Sequence, residues 1–278
     1  MNRGDSRHPS PPPERIQKAL ARSGHGSRRE VESWIAEGRL TVNGGQVEMG
    51  ARVSQDDVIR LDGRRLSRSA LGRTRVLLYN KPHGEVSTRR DPEGRRTVFE
   101  GIPKCANGRW IMAGRLDATT LGLLVFTNNG EVAYRLMHPS YALEREYAVR
   151  VLGTVEPETL RTLLGGVVLE DGFARFEALS EAGGEGANRW FRATLREGRT
   201  REVHRLWASQ GLRVSRLIRI RYGPVVLPRG LRPGRFLEME GELLDVLLDA
   251  VGLGASAPRG GPRHEARPVR RPSRRSGR

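Results

Sequence analysis

The chain has 278 residues, with 49 Lys and Arg against 32 Asp and Glu, giving a formal net charge of +17 and a pI of about 11.3. That balance excludes an acidic or charge-neutral protein and points to a polyanionic partner, either nucleic acid or an anionic membrane surface. A single cysteine, Cys105, excludes an internal disulfide framework and a multi-cysteine zinc site; no apolar run of about 18 residues is present to cross a membrane, and the N-terminus lacks the apolar segment of a secretory signal.

Residues 1–13 are rich in Pro, Ser and Arg and are expected to be disordered. A first ordered unit is expected over residues 14–66. Ile16, Ala19 and Leu20 have the spacing of one helix face, and Gly24 and Gly26 end that helix. Ser27 and Glu30 have the spacing of a capping box, Val31, Trp34 and Ile35 line the apolar face that follows, and Gly38 stands where a C′ glycine belongs. Leu40-Thr41-Val42 and then Asn43-Gly44 read as a strand entering a tight hairpin, with further short strands around Val53, Val58, Ile59 and Leu61. Arg28 and Arg29 at a helix N-terminus, clustered with Arg22 and Arg39, make a candidate phosphate site; the plainer alternative is four surface arginines.

Residues 67–74 read as a linker and residues 75–250 as a second, larger unit. Strands are expected at Arg75–Tyr79 and Leu121–Thr127, a helix over Glu131–Met137, strands at Tyr147–Val151 and Phe191–Leu195, a short helix around Val203, Leu206 and Trp207, and a last amphipathic helix over Leu243–Val251. Strands dominate and no regular strand–helix alternation appears, so the fold class is α+β on a mixed, mainly antiparallel sheet. Residues 251–278 form an Arg-rich tail expected to be disordered; from 256 onward it holds eight arginines and one glutamate, so most of the positive charge lies elsewhere.

The common chemical motifs are missing. There is no phosphate loop, dinucleotide fingerprint, metal-spaced histidine set or nucleophile elbow. What remains is Gly114-Arg115-Leu116-Asp117-Ala118-Thr119-Thr120, an acidic residue beside an arginine just ahead of a buried strand. On spacing alone Asp117 reads first as a turn-capping residue, and the alternative is a carboxylate able to act as nucleophile or base.

Two stretches carry a resemblance. ERIQKALARSGHGSRREVESWIAEGRLTVNGGQVEMGARVSQDD resembles the alpha-L (S4-like) RNA-binding motif. GRLDATTLGLLVFTNNGE resembles the catalytic segment of pseudouridine synthases of the branch that modifies small- and large-subunit ribosomal RNA. KPHGEVSTRRDPEGRRTVFE, RWIMAGRLD, RLMHPS, EREYAVRV, EGRTREVHRLW and VSRLIRIRYGPVVLPRGL extend the likeness, in order, over about residues 14–240 and point to the large-subunit subgroup. The resemblance implies a small S4-like domain ahead of a pseudouridine synthase domain. It implies isomerisation of one uridine in 23S rRNA, either naked or in an assembly intermediate, by a cytoplasmic monomer needing neither cofactor nor metal. Asp117 would be the nucleophile or base, Arg115 would help extrude the target nucleotide, Tyr147 would stack on the uracil and assist proton removal at carbon 5, and Leu217 would line the other side of the base. On the residues alone Tyr147 reads as a strand aromatic packed in the core, and Leu217 can be read as a plain core leucine.

One position departs from the family pattern. His204 stands where the family usually has Arg or Lys, a cation that would keep the aspartate ionised. The expectation is that His204 or the neighbouring Arg205 takes that part. Competing readings are a 16S rRNA synthase and a non-catalytic RNA-binding assembly factor.

Overall fold

The structure, a computed structural model, describes residues 12–66, 73–106, 108–185 and 188–254. The expectations for residues 1–11, for residues 67–72 of the linker and for residues 255–278 of the tail lie outside the described residues.

The N-terminal unit forms from local signals. β1 (Glu14–Arg15) leads into α1 (Ile16–Arg22), and α2 (Arg28–Ala36) starts at the expected capping box: the Ser27 hydroxyl accepts from the Glu30 amide and the Glu30 carboxylate accepts from the Ser27 amide. Gly38 takes the left-handed conformation that closes the helix. β2 (Leu40–Val42) and β3 (Gly45–Gln46) pair through Asn43 and Gly44, both at positive φ, as a two-residue hairpin of this twist demands. β4 (Arg52–Val53) pairs with β1, and β5 (Ile59–Leu61) and β6 (Arg64–Arg65) complete a small sheet with β2. Ile16, Leu20, Val31, Leu40 and Ile59 fill its core.

The larger unit is one nine-stranded sheet. Its strands are β7 (Val76–Lys81), β8 (Ile111–Ala113), β9 (Thr120–Thr127), β10 (Arg145–Leu152), β13 (Ala178–Glu185), β14 (Asn188–Leu195), β15 (Arg213–Tyr222), β16 (Val225–Val226) and β17 (Phe236–Met239). A separate ribbon pairs β11 (Val167–Leu169) with β12 (Gly172–Ala174). The main order is β13-β14-β10-β15-β9-β7-β17, and β15 against β9 is its one parallel pair, so the sheet is mixed and mainly antiparallel.

Helices cover the sheet in two groups. α3 (Gly130–Met137) and α6 (Glu242–Ala250) pack over Val76, Leu78, Leu123 and Val125. α4 (Pro157–Gly165) and α5 (Glu202–Ala208) pack over Val149, Val151, Phe191 and Ala193. The opposite face of β7 and β9, with Leu77, Tyr79, Leu124 and Phe126, is closed by Val98, Trp110 and Leu116 from the connection that carries the acidic turn. The ordered core runs past the expected boundary at residue 250: Val251 is fully buried and Leu253 packs on the same cluster. The N-terminal unit rests on this connection, with Gly24 against the Gly108 backbone and Arg109 3.7 Å from Glu30.

Candidate active site

Asp117 lies in the turn between β8 and β9. Leu116 is buried in the core beneath it, and chain alternation around that anchor puts both Arg115 and Asp117 outward. A distant segment, Lys81–Ser87, holds the turn in place. The Ser87 hydroxyl donates to the Leu116 carbonyl at 2.6 Å and accepts from the Leu116 amide at 3.1 Å. The Gly84 amide donates to the Ala118 carbonyl at 2.8 Å. Lys81, wholly buried at the end of β7, donates through Nζ to the carbonyls of Thr120 (2.9 Å), Pro82 (3.0 Å) and Ala118 (3.2 Å). The Thr120 amide closes the turn on the Asp117 carbonyl at 3.0 Å. The Asp117 carboxylate makes no hydrogen bond or ion pair among the described residues, so it does not cap its own turn.

An open cleft of about 940 Å³ lies beside the turn, lined in part by His83, Thr119, Arg201, His204 and Leu217. Burial lowers the pKa of His204 from the ordinary 6.5, the Arg201 charge lowers it further and the Asp117 carboxylate opposes both, so at neutral pH the ring is uncharged. Its Nδ1 is buried without a hydrogen-bond partner. His204 therefore faces Asp117 but brings no fixed charge. Arg205 turns elsewhere: its guanidinium grips the Asp171 carboxylate at 2.7 and 2.8 Å, which corrects the expectation that it supports Asp117.

Among the described residues, Arg201 and Lys81 are cations with a charge interaction at this corner. Arg201, exposed at the N-cap of α5 with φ of 50°, acts on His204. Burial lowers the Lys81 ammonium to about 8, with the Glu85 and Asp117 carboxylates opposing. Neither was a candidate from the residues alone. The signal that could have found Lys81 is its rarity, one of three lysines among 49 basic residues, at the end of the apolar run VLLYNK. A single ammonium can be buried against carbonyls where a five-donor guanidinium cannot be satisfied.

Tyr147 and Leu217 share one face of the sheet. On β10 and β15 the register pairs Tyr147 with Arg219 and Val149 with Leu217, and parallel pairing sets Leu217 beside Thr120, three residues past Asp117. Both are nearly buried, at 7% and 5% exposed, in one cluster with Val149 and Phe191. The Arg22, Arg28, Arg29 and Arg39 group divides. Arg22 is paired with Glu14, and Arg39 is held by Asp62 at 2.6 and 2.9 Å and by Glu37 at 3.0 Å. Arg28 and Arg29 are exposed in the first turn of α2 and make no ion pair among the described residues. No trio of His, Cys, Asp or Glu among the described residues is placed to hold a metal ion.

Comparison with known proteins now decides the family. Residues 75–209 match the RNA pseudouridylate synthase family and residues 14–59 match the S4 domain. The chain is 52% identical over 244 residues to the ribosomal large subunit pseudouridine synthase B of Yersinia pestis, an alignment covering 86% of this chain and 77% of that one. It belongs to the RNA pseudouridylate synthase family. The synthase B of Escherichia coli strain K12 is 53% identical, over 86% of this chain and 84% of its own length. The synthase B of Pseudomonas aeruginosa is 55% identical, and this chain spans 63% of that longer relative. A crystal structure of a pseudouridylate synthase superposes with a TM-score of 0.60 at 25% identity, over 84% of this chain and 99% of the other. The sheet and the turn that carries Asp117 are thus those of a pseudouridine synthase with an S4 domain in front. No helix among the described residues is long and apolar enough to cross a membrane.

Proposed function

We propose that this pseudouridine synthase isomerises one uridine of large-subunit (23S) ribosomal RNA, with Asp117 as its nucleophile or base. The observation that carries the reading is the Asp117 carboxylate, unpartnered on a turn clamped from beneath and facing a basic cleft. The relatives named synthase B supply the substrate class. In the reaction the bond from ribose carbon 1′ to uracil N1 breaks, carbon 1′ joins carbon 5, carbon 5 loses its proton and N1 ends with one. Atoms and electrons balance within the substrate. Whether the carboxylate attacks the nucleoside or removes a ribose proton, it must be ionised beside the ribose, and the Lys81 ammonium beneath the turn, whose charge interacts with that of Asp117, supports that state. Arg115 enters the gap left by the extruded nucleotide, whose unstacking costs a few kcal/mol; its exposure on the same turn supports that role. Tyr147 and Leu217 offer the base an apolar wall, and Arg28 and Arg29, without an ion pair among the described residues, are cations of the S4 domain available to phosphate. The enzyme works in the cytoplasm as a monomer in this reading.

The test maps pseudouridines in rRNA by carbodiimide treatment and reverse transcription, in a strain lacking the gene and complemented with wild type or Asp117→Asn. One large-subunit site should vanish on deletion and return with wild type alone. An unchanged map would leave an RNA-binding assembly factor as the better account.

A further inference from the structure

The outer face of β14, β10 and β15 has two halves that treat arginine differently. Near the start of β10 the row across the strands is Thr194, Glu146 and Arg221. There every arginine finds a carboxylate: Glu146 takes Arg221 at 2.9 Å and Arg192 at 3.5 Å, and Glu144 takes Arg221 at 3.0 Å. Near the end of β10 the row is Trp190, Arg150 and Arg216, and the next is Asn188, Leu152 and Arg213. Here Arg150 and Arg216 stand directly opposite one another, and among the described residues no carboxylate lies within ion-pair distance of Arg150, Arg213 or Arg216. Arg150 is steadied through Nε by the Ser215 hydroxyl at 3.0 Å, and its guanidinium lies 5.9 Å from the Trp190 ring centroid. Trp190 is half-buried and belongs to none of the core clusters.

Like charges directly across a strand pair destabilise a sheet, so this row carries a cost that its neighbours on the same face avoid. An anion between the two guanidiniums removes it. An indole beside arginines, on an open face, is the arrangement on which single-stranded nucleic acid stacks its bases while cations hold its backbone. The row also leads somewhere. Arg213, Arg216, Leu152 and Asn188 line the same cleft as Thr119 and His204. At about 940 Å³ that cleft is near the top of the range of about 300–1,000 Å³ for an entire small-ligand site, more than one extruded base requires.

We propose that the Trp190–Arg150–Arg216 row is a platform for single-stranded RNA adjoining the target uridine, with a base stacked at Trp190 and a phosphate between Arg150 and Arg216. Only the identity of the adjoining uridine rests on the proposed function; the platform itself rests on the row.

The experiment uses the full chain and measures affinity for a fluorescent mixed-sequence single-stranded RNA 12-mer, and for a blunt RNA duplex of equal charge, across a KCl series. Arg150→Gln with Arg216→Gln should weaken single-strand binding about tenfold and flatten the salt dependence by about one unit of slope, as loss of one phosphate contact predicts. Trp190→Ala should weaken it by about fivefold or more while Trp190→Phe keeps most of the affinity, since either ring can stack. A charge-matched control, Arg161→Gln with Arg175→Gln, removes two arginines that already have carboxylate partners. The platform is overturned if the control weakens binding as much as the Arg150 and Arg216 pair, if duplex affinity falls in parallel, or if all variants bind as wild type does. Pseudouridine mapping is read separately. Loss of single-strand affinity in the variants with no wild-type modification site would sink the proposed function and leave the platform standing; an Asp117-dependent site with unaltered affinities would do the reverse.

Discussion

The α2 N-terminus and the Asp117 turn both present charged groups to solvent, and they are held in opposite ways. Ser27 and Glu30 cap α2 from within four residues of sequence. The Asp117 turn is fixed by Lys81, Gly84 and Ser87, some thirty residues upstream, and by β15, about a hundred residues downstream. The first device costs little to build and gives little rigidity. The second fixes a reacting group against several elements at once, which is what positioning a carboxylate against a ribose demands. Its price is dependence on the whole sheet.

The largest effect should come from attacking the remote support. Gly122 lies in β9 at φ of 99°, where a Cβ would stand 2.3 Å from the Arg219 carbonyl oxygen. Gly122→Ala must separate β9 from β15, the pair that sets Leu217 beside Thr120. We expect a loss of about 4 kcal/mol or more, read by denaturant unfolding, with activity lost in whatever protein remains folded. An alanine variant with wild-type stability would show that the parallel pair is loose.

Lys81→Met comes next. It removes the ammonium donor from the Thr120, Pro82 and Ala118 carbonyls, of which Ala118 keeps the Gly84 amide, at a cost of about 3 kcal/mol. The sign of the pH dependence follows from burial. The folded-state pKa of about 8 lies below the ordinary 10.5, so between those values the unfolded chain binds more protons and the contribution of Lys81 to stability rises with pH. The stability gap between wild type and Lys81→Met should therefore widen from pH 8 to pH 10. A gap that narrows would mean the ammonium is better solvated than its burial indicates.

The same contrast explains what was legible in the residues. The capping box, the Asn43-Gly44 hairpin and the Gly38 stop are decisions between neighbours, and each stands where the pattern puts it. β15 did not declare itself as a ten-residue strand because its alternation is broken twice. Arg219 points inward, 2% exposed, with Nε on the Leu123 carbonyl at 2.8 Å and its guanidinium over Tyr222, and the pairing with β10 shifts register at two irregularities. β13 is masked by Gly183 and Gly184, both at positive φ beside a further register shift. α4 is absent from the expected elements although it carries local signals, Pro157 in its first turn and Gly166 after its last. In the site, GRLD marks the turn but cannot show that Lys81 lies beneath it, nor that Arg205 is turned to Asp171, because both facts are made by chain segments far away.

On the local side, Ser27→Ala should cost about 1 kcal/mol, the usual worth of an N-cap hydroxyl. The loss should be confined to the N-terminal unit, seen as faster amide exchange in α1 and α2 with none in β9. Equal acceleration in β9 would mean that the contact of Arg109 with Glu30 couples the two units more tightly than a 3.7 Å ion pair should.

The smallest effect tests His204, where local and remote influences meet. Burial and Arg201 hold its pKa below the unfolded value, while Asp117 pulls the other way. As pH falls through the ordinary histidine value of 6.5, the unfolded chain takes up the proton first, so the stability that the neutral ring contributes above 6.5 is lost below it. His204→Gln keeps a neutral polar side chain and lacks that titration. The wild type should therefore lose its advantage over the variant between about pH 7 and about pH 5, while the two share one activity profile at and above neutrality. A difference that stays flat across that range would mean the ring titrates as it does in the unfolded chain, and one that grows as pH falls would mean that Asp117 holds the ring charged. His204 would then be the cation that Asp117 faces, and Arg201 and Lys81 would be left as bystanders.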